Sequence, residues 1–271
     1  MRTLVHLSDL HFGRVDPALL GPLAATVSAL APDVVVVSGD LTQRARSAEF
    51  ARAAEFLARL PGPRVVVPGN HDVPLYNLLD RVLRPLAKYR RHIEPDLNPS
   101  HTDDEIAVLG VNTARALVVK NGRINAAQLA WLRERLRRLP DQVVKVVVTH
   151  HPFDVPSGIE ADQRVGRAGL AMRLFAQCGV DVLLAGHLHT GHSASTGARY
   201  ALAGYEALVI SAGTATSTRV RGVANSFNLL RLRKDRIEVD RFGWQDLGQR
   251  FAVASREVFE RQRNGWALVG S

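Results

Sequence analysis

The chain has 271 residues, 46% of them hydrophobic, and no Pro-, Gly- or Ser-rich linker divides it, so it can bury the core of a single domain. With 35 Lys and Arg against 26 Asp and Glu, the formal charge of +9 favours anionic partners, phosphate esters and nucleic acid among them. Cys178 is the single cysteine, which excludes an intramolecular disulfide; no window reaches the ~18 apolar residues of a membrane span, no leader-like stretch precedes the first strand, and a cytoplasmic protein is the expectation.

Taken in chain order, Leu4 to Leu7 reads as a strand, and Asp16-Pro17 as an N-cap with a first-turn proline opening a helix to about Leu30. Val34 to Val37 is a strand, Ser47 caps a helix over 48–60 that stops at Pro61, and Arg64 to Val67 is a strand again. The helical stretch from Asn77 to His92 should break at Pro85. From Asn125 to Leu139, Leu129, Leu132, Leu136 and Leu139 recur near helical spacing; the basic run Arg133 to Arg138 has no interleaved aromatics and reads as that helix's solvated face. Val143 to Val148, a helix from Arg167 to Cys178, and Val182 to Leu184 complete this alternation, with Cys178 a small core residue before Gly179.

After Gly186 the pattern turns to β: Tyr200 to Ala203, Ala207 to Ser211, Phe227 to Arg233 and Arg236 to Phe242, with a tight turn at Lys234-Asp235. The switch predicts a second, mostly antiparallel sheet packed on the first, with helices outside both. Residues 1–250 form the expected domain; 251–271, mixed in character and without punctuation, are expected as a tail, helical, flexible or swapped onto another chain.

Chemistry-bearing blocks follow the strands. Asp9-Leu10-His11, Gly39-Asp40, Gly69-Asn70-His71-Asp72, His150 and Gly186-His187-Leu188-His189 each come directly after a β-rich run. In a sheet of mainly parallel strands the carboxyl ends share one edge, so residues far apart in sequence converge there. Imidazoles with carboxylates suit Mn, Fe or Zn, whereas a Mg or Ca site would be nearly all oxygen. Asp40 can bridge two cations, one on each carboxylate oxygen, and hold them about 3.5–4 Å apart. The glycines before the ligands give the loops freedom and close approach.

His6-Leu7-Ser8-Asp9-Leu10-His11-Phe12-Gly13, Ser38-Gly39-Asp40-Leu41-Thr42, Gly69-Asn70-His71-Asp72, His150-His151-Pro152 and Gly186-His187-Leu188-His189 together resemble the calcineurin-like metallophosphoesterases, in that family's order, from residue 3 to about 192. The resemblance implies an α/β fold, a four-layer αββα sandwich of two mixed β-sheets flanked by helices. It implies two divalent transition metal ions, one held by Asp9, His11, Asp40 and His189, the other by Asp40, Asn70, His150 and His187. A metal-bridging hydroxide would attack phosphorus. By the same resemblance His71 is the catalytic histidine, stabilising phosphoryl oxygens or protonating the leaving alkoxide, and Asp72 orients its ring.

Around these, His6 reads as a core or supporting residue, His151 as a pocket wall that does not bind metal, and His101 and His192 as surface residues or substrate contacts. Arg44 and Arg46 are either solvated or within reach of an anionic substrate. Gly39-Asp40-Leu41-Thr42-Gln43-Arg44 and Asp72 depart from the blocks of the protein phosphatases, and His71 from the Arg of the lipid A pathway's pyrophosphohydrolases. The chain resembles most the class III cyclic-nucleotide phosphodiesterases, in Leu109-Gly110-Val111-Asn112-Thr113, Gly122-Arg123-Ile124 and Gln128-Leu129-Ala130-Trp131-Leu132. A small phosphodiester is the expected substrate. Nucleic acid is the lesser expectation, since related DNA exonucleases add a capping domain for which this chain has no room. A broad phosphomonoesterase and a homodimer remain open, no membrane partner is expected, and a non-catalytic scaffold is disfavoured because no ligand is missing. Specificity is expected in the loops at 73–105 and 153–168.

Overall fold

A computed structural model of the chain describes residues 1–116, 118, 120–156, 163–218 and 224–270. Strands β1 (Arg2–Leu7), β2 (Val34–Val37) and β3 (Arg64–Val66) lie parallel and adjacent. A second sheet begins with β4 (Ser100–Thr102), antiparallel to β5 (Ile106–Gly110), and continues in parallel through β6 (Val144–Val148) and β7 (Val182–Ala185). Every residue of β2, β5, β6 and β7 is buried, as near-continuous apolar runs require when both faces of a sheet are covered; the one charge among them, Lys145 of β6, donates its Nζ to Cys178 O at 2.9 Å.

Between the strands run α1 (Pro17–Ala29), whose N-cap Asp16 accepts from the Ala18 amide at 3.0 Å, and α2 (Ser47–Ala58), whose N-cap is Arg46 with Ser47 as the first helical residue. The stretch around Pro85 divides as expected into α3 (Leu78–Leu83) and α4 (Ala87–His92). Helix α5 (Ala126–Arg137) starts with a reciprocal cap between Asn125 and Gln128, and α6 (Ala168–Cys178) ends on Gly179. On α5, Leu132 and Leu136 face inward while Arg133, Arg135 and Arg137 are exposed.

The later strands do not form a sheet of their own. Tyr200 to Ala203 is not a strand, and its place is taken by a short β8 (His192–Ser195) pairing antiparallel with β9 (Leu208–Ser211), which is itself parallel to β7. Strands β10 (Ser226–Leu232), β11 (Arg236–Gln245), β12 (Arg250–Arg261) and β13 (Trp266–Gly270) add antiparallel to the edge of β1. Two parallel sets each leave unpaired backbone at an edge, and the late strands satisfy one edge of each. The orders are β13-β12-β11-β10-β1-β2-β3 and β4-β5-β6-β7-β9-β8, two mixed sheets.

Three apolar clusters mark the interfaces of an αββα sandwich. Leu23, Phe50 and Tyr89 from helices meet Val35 and Phe227 of the first sheet; Val36, Val146 and Leu184 pack between sheets; Leu132, Met172 and Phe175 cover the second. Among the described residues no helix is long and apolar enough to cross a membrane.

Within the segment expected as a tail, the described residues 251–270 run as β12 and β13 rather than as a helix or a flexible tail. Phe251 belongs to the helix-side cluster and Phe259 to the inter-sheet cluster, although both are odd-numbered on one strand. A bulge explains this: Arg241 pairs with Ser255 but Phe242 with Val253, so the extra Ala254 reverses which face each later residue takes. Asp181, fully buried, ties this edge to the second sheet by accepting from the Lys145 amide at 2.9 Å, Lys234 Nζ at 2.8 Å and Arg261 at 2.7 Å. Asp181→Ala strands those donors, and because Lys234 and Arg261 are about one-third exposed and can turn to water, a loss of about 2–3 kcal/mol is expected in urea unfolding. An unchanged midpoint would mean the network carries no net stability.

Candidate metal centre

The loops leaving β1, β2, β3, β6 and β7 at their carboxyl ends bring all seven expected ligands together with His71. Five of the ligands, Asp9 (φ 54), His11 (φ 51), Asp40 (φ 53), His187 (φ 71) and His189 (φ 62), have left-handed backbone, a conformation costing roughly 1–3 kcal/mol per non-glycine residue. The surroundings enforce it: the Asp9 amide donates to Gly39 O at 3.1 Å and the His11 amide to Asp40 O at 2.9 Å, locking the first loop to the second. Gly39 needs its positive φ of 93, and a Cβ there would also meet Gly69 N and His150 Nδ1 at 2.8 Å. At Gly69 the need is closeness alone, since a Cβ would run into Asp40.

Asp9, His11, Asp40 and His189 offer ligand atoms within 4.8 Å of one another, all buried. His189 Nε2 lies 3.3 Å and His11 Nε2 3.6 Å from Asp9 Oδ1, and His11 Nε2 is 3.7 Å from Asp40 Oδ2. On the other side of Asp40, its Oδ1 is 3.4 Å from His150 Nε2. Asn70 Oδ1 completes that side, 3.0 Å from His150 Nε2 and 3.2 Å from His187 Nδ1. His150 Nδ1 donates to Ser38 O at 2.7 Å, so Nε2 is the atom turned to Asp40.

The donor set fits a cation. Among the described residues Asp9 Oδ1 and His11 Nε2 make no hydrogen bond although both are buried, an arrangement that costs several kcal/mol unless an ion occupies the space between them. Burial pushes the carboxyls of Asp40 and Asp9 up, but the facing imidazoles, His150 first for Asp40 and His189 first for Asp9, outweigh it and hold both below the usual range. Burial lowers His150 too, yet Asp40 raises it to about 9, whereas burial and then His150 bring His187 down to about 4. To hold a cation His150 would have to give up its Nε2 proton, because only the neutral ring offers that lone pair.

His71 sits beside the ligands, its amide donating to Asp40 Oδ1 at 2.8 Å and its Nδ1 to Gln43 O at 3.0 Å. The ring is therefore oriented by a backbone carbonyl, which corrects the expectation for Asp72. The buried Asp72 carboxylate is consumed by the amides of Gly69 (2.8 Å), Leu41 (3.2 Å) and Thr42 (2.9 Å) and by the Thr42 hydroxyl (2.9 Å). It fastens the third loop to the second, and burial together with Asp40 pushes its carboxyl up to about 6.

His151 comes within ligand distance of His150 and His187, but both its nitrogens are taken: Nε2 donates to Lys120 O and Nδ1 accepts from Thr113 Oγ1, each at 2.8 Å. Burial lowers its pKa well below the usual value, keeping it neutral. His6, also buried and lowered to about 3 by burial, bonds Ser38 Oγ at 2.9 Å. His101 faces Asp103 on β4 and His192 lies on β8; neither lines the hollow beside His71.

That hollow, about 170 Å³, is lined by Asn70, His71, Val73, Arg44, Arg81 and Lys120 among others. Arg44 thus reaches the site, while Arg46, exposed at the N-cap of α2, is not among the residues that line it. Sequence reasoning missed Arg81 and Lys120, which lie outside every block, and Ser8, whose hydroxyl donates to Asp9 Oδ2 at 2.6 Å. It also missed Gln163, 3.2 Å from His187 Nε2; the rest of the 153–168 loop at 157–162 lies outside the described residues.

The model of the calcineurin-like phosphoesterase family matches residues 2–191. A probable glycerophosphodiester phosphodiesterase of Arcobacter nitrofigilis is 28% identical over 166 residues, covering 58% of this chain and 57% of that protein. The 3′,5′-cyclic adenosine monophosphate phosphodiesterase of Escherichia coli K12 is 27% identical over 205 residues, 69% of each. The chain thus spans somewhat over half to two thirds of these relatives' lengths. A dimetal phosphatase from Danio rerio shares the fold, with a TM-score of 0.65 at 15% identity over 89% of this chain and 96% of that one.

Proposed function

Since the chain belongs to the calcineurin-like phosphoesterase family, and so to metal-dependent hydrolases, we propose that it hydrolyses small phosphodiesters at a two-metal centre of Mn, Fe or Zn. The observation that carries this is Asp40: one oxygen faces His11 and the other His150, so a single carboxylate belongs to two ligand sets. Asp9, His11, Asp40 and His189 would hold one ion and Asp40, Asn70, His150 and His187 the other. Two ions so held supply Lewis acidity and a water of lowered pKa. The chain's own part is to fix the ligands by strained loops, keep His150 and His151 in single tautomers, and present the His71 ring, hydrogen-bonded at Nδ1, to the leaving oxygen.

The relatives' names support diesters. A broad phosphomonoesterase is the second reading, because Arg44, Arg81 and Lys120 line the hollow and a monoester carries about two charges at neutral pH. Against it, two Arg81 nitrogens are committed to the carbonyls of Pro74 and Val118, and Arg44 lies over the Tyr76 ring. A panel of bis(p-nitrophenyl) phosphate, p-nitrophenyl phosphate, 2′,3′- and 3′,5′-cyclic nucleotides and duplex DNA decides. Diesters are expected to exceed the monoester in kcat/KM; a preference of roughly tenfold the other way makes the chain a phosphatase, and fastest attack on duplex ends makes it a nuclease.

A further inference from the structure

Beside the reacting centre, a second hollow lies next to the first. The space at His71 and an open groove of about 460 Å³ share Val73 as a wall. Leu83, Pro85, Leu86, Ala87 and Leu97 give the groove its apolar lining, and the exposed Arg84 and Arg90 add charge to it. Helix α3 above it is inverted relative to an ordinary surface helix. Its six residues bury Arg81 and expose Leu78, Leu79, Val82 and Leu83 by 58–70%, with Tyr76 next to them at 73%. A contiguous apolar surface of this kind beside a ligand site marks a place for an apolar ligand or partner.

Arg81 adds the charge argument. It is buried, its guanidinium donates to Pro74 O and Val118 O at 2.9 Å, and among the described residues no carboxylate pairs with it. The hollow at His71 therefore holds a guanidinium whose hydrogen bonds go to two carbonyls but whose charge no carboxylate among the described residues neutralises, which favours a singly charged anion there without offering it a direct bond from those nitrogens. In sequence from the centre outward come the ligands, a cationic hollow and an apolar groove.

Building on the diesterase reading, we propose that the substrate is an amphipathic phosphodiester, one of whose ester groups carries an alkyl or acyl chain lying over Val73 into the groove beneath α3 and α4. Hydrolysis adds water oxygen to phosphorus and breaks one P–O ester bond, and the proton goes to the leaving oxygen. Among the described residues the groove has no aromatic lining on which a nucleobase would stack. A second copy of the chain is the poorer occupant, since each copy has a formal charge of +9 and this groove is lined by Arg84 and Arg90, which a symmetric pairing would set against themselves.

The test uses methyl, butyl and octyl p-nitrophenyl phosphates below their micellar concentrations, with the full chain loaded with Mn²⁺. From methyl to octyl, kcat/KM is expected to rise by roughly tenfold or more, chiefly through KM, as methylenes leave water. In Ala87→Trp, which fills the groove, the octyl-to-methyl ratio should fall towards one. Leu83→Asp, at a residue 66% exposed and so no threat to folding, should do the same. A flat chain-length series in the wild type overturns the amphipathic substrate while leaving the diesterase reading intact; no turnover of any diester removes that reading instead. An unchanged ratio in both variants puts the chain elsewhere and overturns the assignment. So does a flat series accompanied by a dimer that Leu83→Asp dissociates, which gives the face to a second copy.

Discussion

Asp40→Asn is expected to strip the purified protein of most of its metal and lower turnover by on the order of 10³-fold or more. Each Asp40 oxygen faces a different imidazole, His11 at 3.7 Å and His150 at 3.4 Å, so removing the charge weakens both ligand sets together. Asn is the better probe than Ala because Asp40 has φ 53, a backbone state that Asn adopts more readily than Ala, and an amide oxygen can still accept from the His71 amide. The wild type should contain close to two transition-metal ions by elemental analysis, lose activity to a chelator and regain it best with Mn²⁺. A fully active wild type with one ion or none would sink the two-metal centre, and an Asp40→Asn protein retaining both would remove Asp40 from the shared position.

The parallel half of the molecule was legible because its signals are local. Val34 to Val37 is an unbroken apolar run and Val143 to Val148 one interrupted only by Lys145, Asp16-Pro17 is a cap with its proline, Pro85 divides a helical stretch, and the blocks after the strands state their chemistry in residue types alone. The ligand positions followed because strand ends in a parallel sheet gather at one edge. The late strands were legible only in part, since which sheet they join is decided by unpaired edges far away in sequence, β1 for β10 and β7 for β9. The 251–271 strands escaped because Ala254 interrupts the alternation that identifies a strand. At the site, the partner of the His71 ring is a main-chain oxygen at Gln43, which no side-chain pattern announces. Asp72 follows His71 directly, and that adjacency suggested a ring partner, but its carboxylate is turned to three amides and a hydroxyl. Arg81 lies outside every block, and no sequence signal marks it as the buried residue of a helix whose apolar residues face out.

His71→Ala should behave differently from any ligand variant: turnover falls by roughly 10²–10⁴ while metal content stays near that of the wild type. What His71 gives Asp40 is its backbone amide at 2.8 Å, which survives the substitution, and what is lost is the ring held by Gln43 O. If the ring donates a proton to the leaving oxygen, the loss depends on that oxygen. An alkoxide cannot leave unprotonated at neutral pH, so an alkyl diester should show the full decrease; p-nitrophenolate, far less basic, should show much less. Asp72→Asn separates orientation from architecture. Its amide would turn two donors against the amides and hydroxyl that now bond Asp72, costing about 2–3 kcal/mol in urea unfolding. Its leaving-group dependence should nevertheless match the wild type, because the carboxylate accepts from the Gly69, Leu41 and Thr42 groups while Nδ1 of the His71 ring is held by Gln43 O. Equal sensitivity of alkyl and nitrophenyl esters to His71→Ala would mean that the ring stabilises phosphoryl oxygens instead of protonating the leaving group, and metal loss on the scale of Asp40→Asn would make it a ligand.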